Sequence, residues 1–472
     1  MQRKRTFIIV VTLLMATFTV LTSCNMQDVE YANYGSMTDI ATDYETIIIT
    51  DIVMTYPLPQ TTPCVPVTTT CAPGCRCHPS IFSTVEPPEN GIIETAGQLY
   101  AVLIKGDPTA DYTVVAKELD MSNYTWDGMK DYSGTFDFGG CVIKNARDSL
   151  FVSVDGGTVK NLVLADAKYV YSHDDASEDI NPKTGDVGNM YYSPIVRYAN
   201  DITMSNVTVE PSVAVHSYIW FENSAHGGLV GYAEGSNIVI EDCTFAGEYT
   251  TDSIRASLGG IAGYIASQVG DTLSLEDPEN SSVLLNNCLN LGAVNNLGYG
   301  MDSKVGGIVG WLGNGAAIGC GNYGNVSSND NGQTAGVVGY LSNAAYIQNC
   351  INAAIVKGNY YVGGICGYSN GADRYFENCV NLGSIQSYLD HDGGIAGLLK
   401  GQEKLINCFN LDSTCEAFAK YKLDDEVVID PANVSKDIRA TLTNCADLSS
   451  IVDLCAKLLS VAPSMLEMIP RA

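Results

Sequence analysis

The side chains with most chemistry to offer are 16 cysteines and 5 histidines. Cys64, Cys71, Cys75 and Cys77, the last followed by His78, fall within fourteen residues. In an exported chain such a group forms two disulfides, whose pairing the spacing leaves open; a zinc cluster is the alternative, without the paired C-x₂-C knuckles of common zinc sites. Between His173 and Tyr192 stand Asp174, Asp175, Glu178, Asp179 and Asp186. Their carboxylates could hold calcium, but they miss the EF-hand spacing, and a solvated acidic loop is the plainer reading. Asp390-His391-Asp392 could ligate a metal or move protons, or be a turn before a strand. Gly367-Tyr-Ser-Asn-Gly371 matches G-x-S-x-G without the strand-to-helix context of a nucleophile elbow, and reads as a turn. Gly319-Cys-Gly-Asn-Tyr-Gly324 matches G-x-G-x-x-G without a βαβ unit, and no H-E-x-x-H occurs. No catalytic residue, and no cofactor beyond the calcium alternative, is assigned.

The remaining cysteines belong to a pattern. A first phrase recurs as Gly227-Gly-Leu-Val-Gly-Tyr232, Gly259-Gly-Ile-Ala-Gly-Tyr264, Gly306-Gly-Ile-Val-Gly-Trp311, Ala335-Gly-Val-Val-Gly-Tyr340, Gly363-Gly-Ile-Cys-Gly-Tyr368 and Gly393-Gly-Ile-Ala-Gly-Leu398. Its second glycines are 32, 47, 29, 28 and 30 residues apart. A second phrase follows each copy, centred on Cys243, Cys288, Cys320, Cys350, Cys379 or Cys408. An apolar residue stands three before each cysteine, and Phe245 or Asn290, Asn322, Asn352, Asn381 or Asn410 stands two after. Residues three apart on a straight strand face opposite ways, so a corner at the intervening Asp, Asn or Gly is needed for both to point inward. A period near 29 without helical 3.6-residue spacing predicts one coil of a three-sided parallel β-solenoid, with Ile/Val, Cys and Asn stacked in internal ladders. The ladder cysteines are then free, buried thiols, and the phrase's fifth glycine sits where a side chain would strike the next layer. Upstream, Leu150–Val154, Thr158–Leu164 and Ile202–Val209 read as strands of about three further coils. Two insertions, His173 to Tyr192 and Gln268 to Asn280, leave the solenoid, and loops of this kind carry contacts.

These phrases resemble the GLUG motif of repeat-rich bacterial surface proteins. Ile93-Glu-Thr-Ala-Gly-Gln-Leu99, Tyr112 to Met121 and Gly134-Thr-Phe-Asp137 look like the lead-in strands of such solenoids. Asp137-Phe-Gly-Gly140 replaces the usual Asp-Gly-Asn-Gly. The resemblance spans roughly residues 92 to 415. It implies an all-β, right-handed parallel β-helix on the cell surface, with no single chemistry attached.

At the start, Arg3-Lys4-Arg5 precedes an uncharged stretch from Thr6 to Ser23, as in a signal peptide. It ends in Leu21-Thr-Ser-Cys24, which resembles a bacterial lipobox and implies that Cys24 carries acyl chains at the mature N-terminus. An ordinary signal peptide or an anchor helix with an incidental cysteine is the alternative. Several chains anchor a protein stably where one does not. The expected organisation is therefore 1–23 signal peptide, 24–90 Thr/Pro/Cys-containing tether, 91–225 N-terminal coils, 226–415 repeat coils and 416–472 a C-terminal cap. Leu448, Ile451, Val452, Leu454, Cys455, Leu458 and Leu459 follow helical spacing, as a cap over the open end or a partner-binding helix would.

The net charge of −28 becomes −31 once the three basic residues of 1–23 are gone. Such a chain repels nucleic acid, which is excluded as a partner. The expected function is a non-catalytic lipoprotein, exported and lipid-anchored at the bacterial cell surface or outer membrane, binding an extracellular glycan or protein. The alternative is a polysaccharide lyase or glycosidase, which needs carboxylates or a base with cations converging on one face. Within the repeats the basic residues are Arg255, Lys304, Lys357, Arg374, Lys400 and Lys404, at no common repeat position.

Overall fold

The computed structural model describes residues 85–172, 190–218, 224–267, 281–370, 374–389, 392–400, 403–412, 415, 419–422, 426–429 and 441–469. The signal peptide, Cys24, Cys64, Cys71, Cys75 and Cys77, the carboxylates from Asp174 to Asp186, the insertion Gln268–Asn280, Asp390 and His391 lie outside the described residues.

Alternating apolar residues and recurrent Gly/Asn corners make short strands that cannot bury a face alone, so each repeat stacks on the last. Three sheets result, of 25, 7 and 7 strands. The first holds the second phrase of each repeat and the first phrase from its fourth residue on. The second holds Lys168–Ser172, Ala214–Tyr218, Glu248–Thr251, Ala293–Asn296, Val326–Ser328, Val356–Gly358 and Ile385–Ser387. The third holds Tyr191–Tyr192, Ala225–Gly227, Ser257–Gly259, Met301–Gly306, Asn331–Ala335, Val362–Gly363 and Asp392–Gly393. The chain visits them in that cyclic order, and like strands pair in parallel register from layer to layer, as Tyr232↔Tyr264, Tyr264↔Trp311 and Trp311↔Tyr340 illustrate.

The expected corner between apolar residue and cysteine is present. Asp242, Asn287, Asn349, Asn378 and Asn407 take φ of +52° or +53°, and Gly319 takes +63°. Both neighbours therefore point inward: Ile347 and Cys350, for example, are fully buried. Asn tolerates this left-handed conformation where branched residues do not.

The two phrases touch across the core. Asn290, Asn322, Asn352, Asn381 and Asn410 are buried, each donating from Nδ2 to the next Oδ1 at 2.7 or 2.8 Å, and Asn410 donates to Asp447 Oδ1 at 2.8 Å. A β-carbon on Gly307, Gly336 or Gly364 would overlap the amide of Asn322, Asn352 or Asn381. The second glycine of the first phrase is thus required by the asparagine of the second. For the fifth glycine the collision is with the preceding layer rather than the next. A β-carbon on Gly310 would meet Leu258 N and Gly263 O, and one on Gly339 would meet Val305 N.

Upstream layers keep the path and change the filling. The cysteine position is held by Cys141, Leu162 and Val207, and the asparagine position by Ile143, Leu164 and Val209. The strands expected at Leu150–Val154 and Thr158–Leu164 are one strand, Phe151–Ala165. Where lead-in strands were expected from Ile93 to Leu99, only Ile92–Ile93 is strand, and helix α1, Ala96–Lys105, follows. Thr95 caps it in a capping box with Gln98, and Leu99, Val102 and Leu103 join the main core.

The pattern also runs past Cys415. Leu442, Asn444 (φ +53°), Cys445 and Asp447 form a seventh second phrase, stacked in register on Leu405 to Asn410. Helix α2, Ile451–Val461, follows it. Expected as a cap over the open end, it instead lies along the flank. Leu454 and Leu458 pack with Ile351, Val380 and Phe409, which are outward residues of three successive layers, and Tyr323 Oη donates to Met468 O at 2.6 Å. The outward position after the cysteine turns apolar in those layers, and that stripe is where an apolar helix face leaves most water.

Candidate functional site

Among the described residues, four groupings of functional side chains lie within or along the stack. The first is internal. His226, fully buried, has Nδ1 at 3.1 Å from Ser217 Oγ and 3.4 Å from Tyr249 Oη, and Nε2 at 2.7 Å from Ser224 Oγ. Burial pushes the imidazole down to about 3, so the ring is neutral and its hydroxyl neighbours suffice. Ser and His are in contact here, yet no substrate reaches a fully buried ring.

The second is also internal. Ser369 does not lie in a turn: it is on the strand Cys366–Asn370, fully buried, and its Oγ donates to Glu403 Oε1 at 3.0 Å. Arg374 Nη1 is 3.5 Å from the same carboxylate oxygen, and its Nε donates to Asn343 O at 2.9 Å. Burial lowers the guanidinium's affinity for its proton, and Glu403 opposes that. Asp392, from the Asp-His-Asp cluster, is buried in its strand.

The third grouping is on the surface. One outward column, Tyr198, Tyr232, Tyr264, Trp311, Tyr340 and Tyr368, runs along the first sheet with ring centroids 4.5 to 5.8 Å apart. It is largely spent on itself. Tyr198 and Tyr232 both donate to Glu234, Trp311 Nε1 donates to Ser342 Oγ at 2.7 Å, and Lys304 Nζ covers Trp311 at 5.2 Å.

The edge between the second and third sheets is different. Tyr218 ends a second-sheet strand, and Asp252, Leu297, Asn329 and Tyr388 each follow one; they stack through the backbone, with Asp252 N on Ser217 O, Leu297 N on Thr251 O, Asn329 N on Asn296 O and Tyr388 N on Gly358 O. Here Tyr299 is 70 % exposed, Met301 66 % and Tyr388 60 %. Tyr218 stacks on His216 at 3.8 Å, and His216 Nε2 lies 3.6 Å from Asp252 Oδ2. Lys357 Nζ lies 5.1 Å from the Tyr388 ring centre. Asn359 Nδ2 donates to Asn329 O at 2.8 Å. Beneath them Asp330 is buried, its carboxyl pushed up by desolvation against two bonds from Ser303, at 2.9 Å from Oγ and 3.3 Å from N. Ser172 and Met190 belong to this edge as well, and of the insertion expected from His173 to Tyr192 the last two residues are instead the third-sheet strand Tyr191–Tyr192. Sequence reasoning found the insertion but not the edge, because none of the edge residues belongs to either recurring phrase.

Among the described residues no three of His, Cys, Asp and Glu are placed to hold a metal, and no helix is long and apolar enough to cross a membrane. Among the described residues Lys144 lies 3.0 Å from Glu118 and 3.6 Å from Asp166, an ion-paired and solvent-open group. No protein-family model and no curated protein matches the sequence. Among solved structures the chain is similar to a candidate immunoglobulin A1 protease from Bacteroides ovatus, at 15 % identity and TM-score 0.33, over 78 % of this chain and 86 % of that one. It is similar also to an IgA1 protease, at 12 % identity and TM-score 0.34, over 79 % of this chain and 24 % of that one. At that level neither likeness bears on the activity of this chain.

Proposed function

We propose that this chain is a non-catalytic surface lipoprotein of the GLUG-repeat kind. In this reading it is a right-handed parallel β-helix, held to the membrane by acyl chains on Cys24 and binding an extracellular glycan or protein. One observation carries the binding reading. The glycine, cysteine and asparagine that recur from layer to layer face inward and hold the stack together, and the recurring outward aromatics of the first sheet are spent on one another, whereas large exposed side chains gather on the edge between the second and third sheets. A rod whose repeated chemistry is spent on its own stack has its variable edge left for contacts.

Two experiments test it. Fatty-acid labelling of wild type and Cys24→Ala in a bacterial host is expected to mark only the wild type; equal label in both removes the anchor. A glycan and matrix-protein array, run beside reducing-end and unsaturated-product assays on polysaccharides, is expected to give binding without turnover. Sustained product release abolished by one Asp, Glu or His substitution would instead establish the lyase or glycosidase alternative.

A further inference from the structure

We infer that the ligand of the edge between the second and third sheets is a neutral oligosaccharide, lying along the stack across Tyr218, Leu297, Tyr299, Asn359 and Tyr388. The inference rests on the ligand-binding reading above and names the class of ligand.

The geometry is that of a row. Layers rise ~4.8 Å each, so Tyr299 and Tyr388, three layers apart, are separated by roughly 14 Å along the axis. The site therefore suits an extended, repeating ligand better than a compact one. Its chemistry is mixed: Tyr218, Tyr299 and Tyr388 offer ring faces, Asp252 stands in the layer between Tyr218 and Tyr299, and Asn329, Asn331 and Asn359, in the layers between Tyr299 and Tyr388, offer amide donors and acceptors. A pyranose chain has the matching mixture, with C–H faces that pack on rings and a rim of hydroxyls for hydrogen bonds.

Charge selects within the sugars. Lys304 Nζ is 2.8 Å from Asp302 and Lys357 lies over Tyr388, so both of these ammonium groups already face a carboxylate or a ring. The whole chain, at −28, repels a polyanion. A neutral chain meets neither obstacle. Two rings are also set in advance: His216 holds one face of Tyr218 and Lys357 one face of Tyr388, leaving less side-chain freedom to lose on binding.

The test is calorimetric titration of the mature protein with neutral linear hexasaccharides of β-glucan, mannan and xylan, beside a heparin hexasaccharide and a polylysine peptide. At least one neutral hexasaccharide is expected to bind, and Tyr299→Ala/Tyr388→Ala, which removes two ring faces, to weaken it roughly tenfold or more. Tyr375→Ala, on the first sheet, is expected to bind as wild type. The edge rings are so exposed that the thermal midpoint of the double variant should stay unchanged, which separates lost contact from lost fold. Failure of every neutral hexasaccharide to bind below about 1 mM, or equal affinity in the double variant, overturns the inference. Binding of heparin that the double variant abolishes overturns the neutrality of the ligand, and binding of polylysine so abolished overturns the sugar assignment; either leaves a ligand-binding edge.

Discussion

The upstream layers and the repeat layers follow the same path with different interiors. Upstream, the two inward positions around the left-handed corner are filled by Cys141, Leu162 and Val207 and by Ile143, Leu164 and Val209, with a packed aromatic group of Tyr112, Tyr132, Phe136, Phe138 and Phe151 beside them. In the repeats the same positions hold thiols and amides. An apolar filling tolerates varied sizes, because neighbours adjust as long as volume is conserved. An amide ladder does not, because each Asn uses its neighbour above and its own backbone: Asn352 Nδ2 donates to Asn381 Oδ1 at 2.8 Å and to Ala354 O at 3.0 Å. Hence the sequence repeats visibly from residue 226 and only faintly before it.

Ways to break that contrast can be ranked. Gly339→Val should be the most damaging, because its side chain meets the backbone of the preceding layer; a loss of about 3 kcal/mol or more, or failure to fold, is expected in urea unfolding followed by circular dichroism. Gly156→Ala upstream has open space and pays only for φ +78°, so about 1 kcal/mol is expected. Equal costs would show that the layers do not approach as described.

Asn352→Leu should cost ~2 kcal/mol, since it leaves the amides of Asn322 and Asn381 without their ladder partner. Val209→Asn upstream should cost a similar amount for the opposite reason, an amide placed between Leu164 and Phe245. A neutral result at either site would mean that the two interiors are interchangeable.

His226 stands where the two regions meet. Its pKa is depressed from about 6.5 when unfolded to about 3 when folded. The unfolded chain therefore binds the extra proton between these values. Stability is fully present above pH 6.5 and falls as pH drops toward 3, by at most ~1.4 kcal/mol per unit from this one group. The difference between wild type and His226→Gln in denaturant midpoint, measured from pH 7 to 4, should show that slope; parallel curves would remove it.

The smallest effect is chemical rather than energetic. Burial pushes the Cys141 thiol up to about 11 and the Cys350 thiol well above its ordinary range, and it shuts the interior thiols of both regions away from reagent, so they should not alkylate at pH 8 in the folded protein. Cys455, part-exposed on α2, should react first, as mass spectrometry of pulse-labelled protein would show. Rapid modification of Cys320, Cys350, Cys379 or Cys408 would contradict the inward ladder.

Much of the fold was legible because its rules are local and repeated. Gly227 to Cys408 spelled out the layer, its corner and its inward residues. The copy at Leu442 to Asp447 obeys the same spelling and escaped notice because the irregular stretch after Cys415 separates it from the rest. The capping box of Thr95 and Gln98 was likewise present in the sequence, and resemblance to lead-in strands concealed it. The flank position of α2 was not legible: its helical spacing named a buried face without naming what the face meets. That depended on Ile351, Val380 and Phe409 being brought into line across layers.

The sequence by itself determined the parallel stack, because Asn, Gly and alternating apolar residues restrict the backbone within a few residues of one another. Tertiary structure alone decided the edge of Tyr218, Leu297, Tyr299 and Tyr388, and the burial of Arg374 against Glu403. Those neighbours are set by counting around whole layers whose lengths differ. The physical reason is register: backbone hydrogen bonds align the strands, and unrelated side chains between them are carried into contact by that alignment.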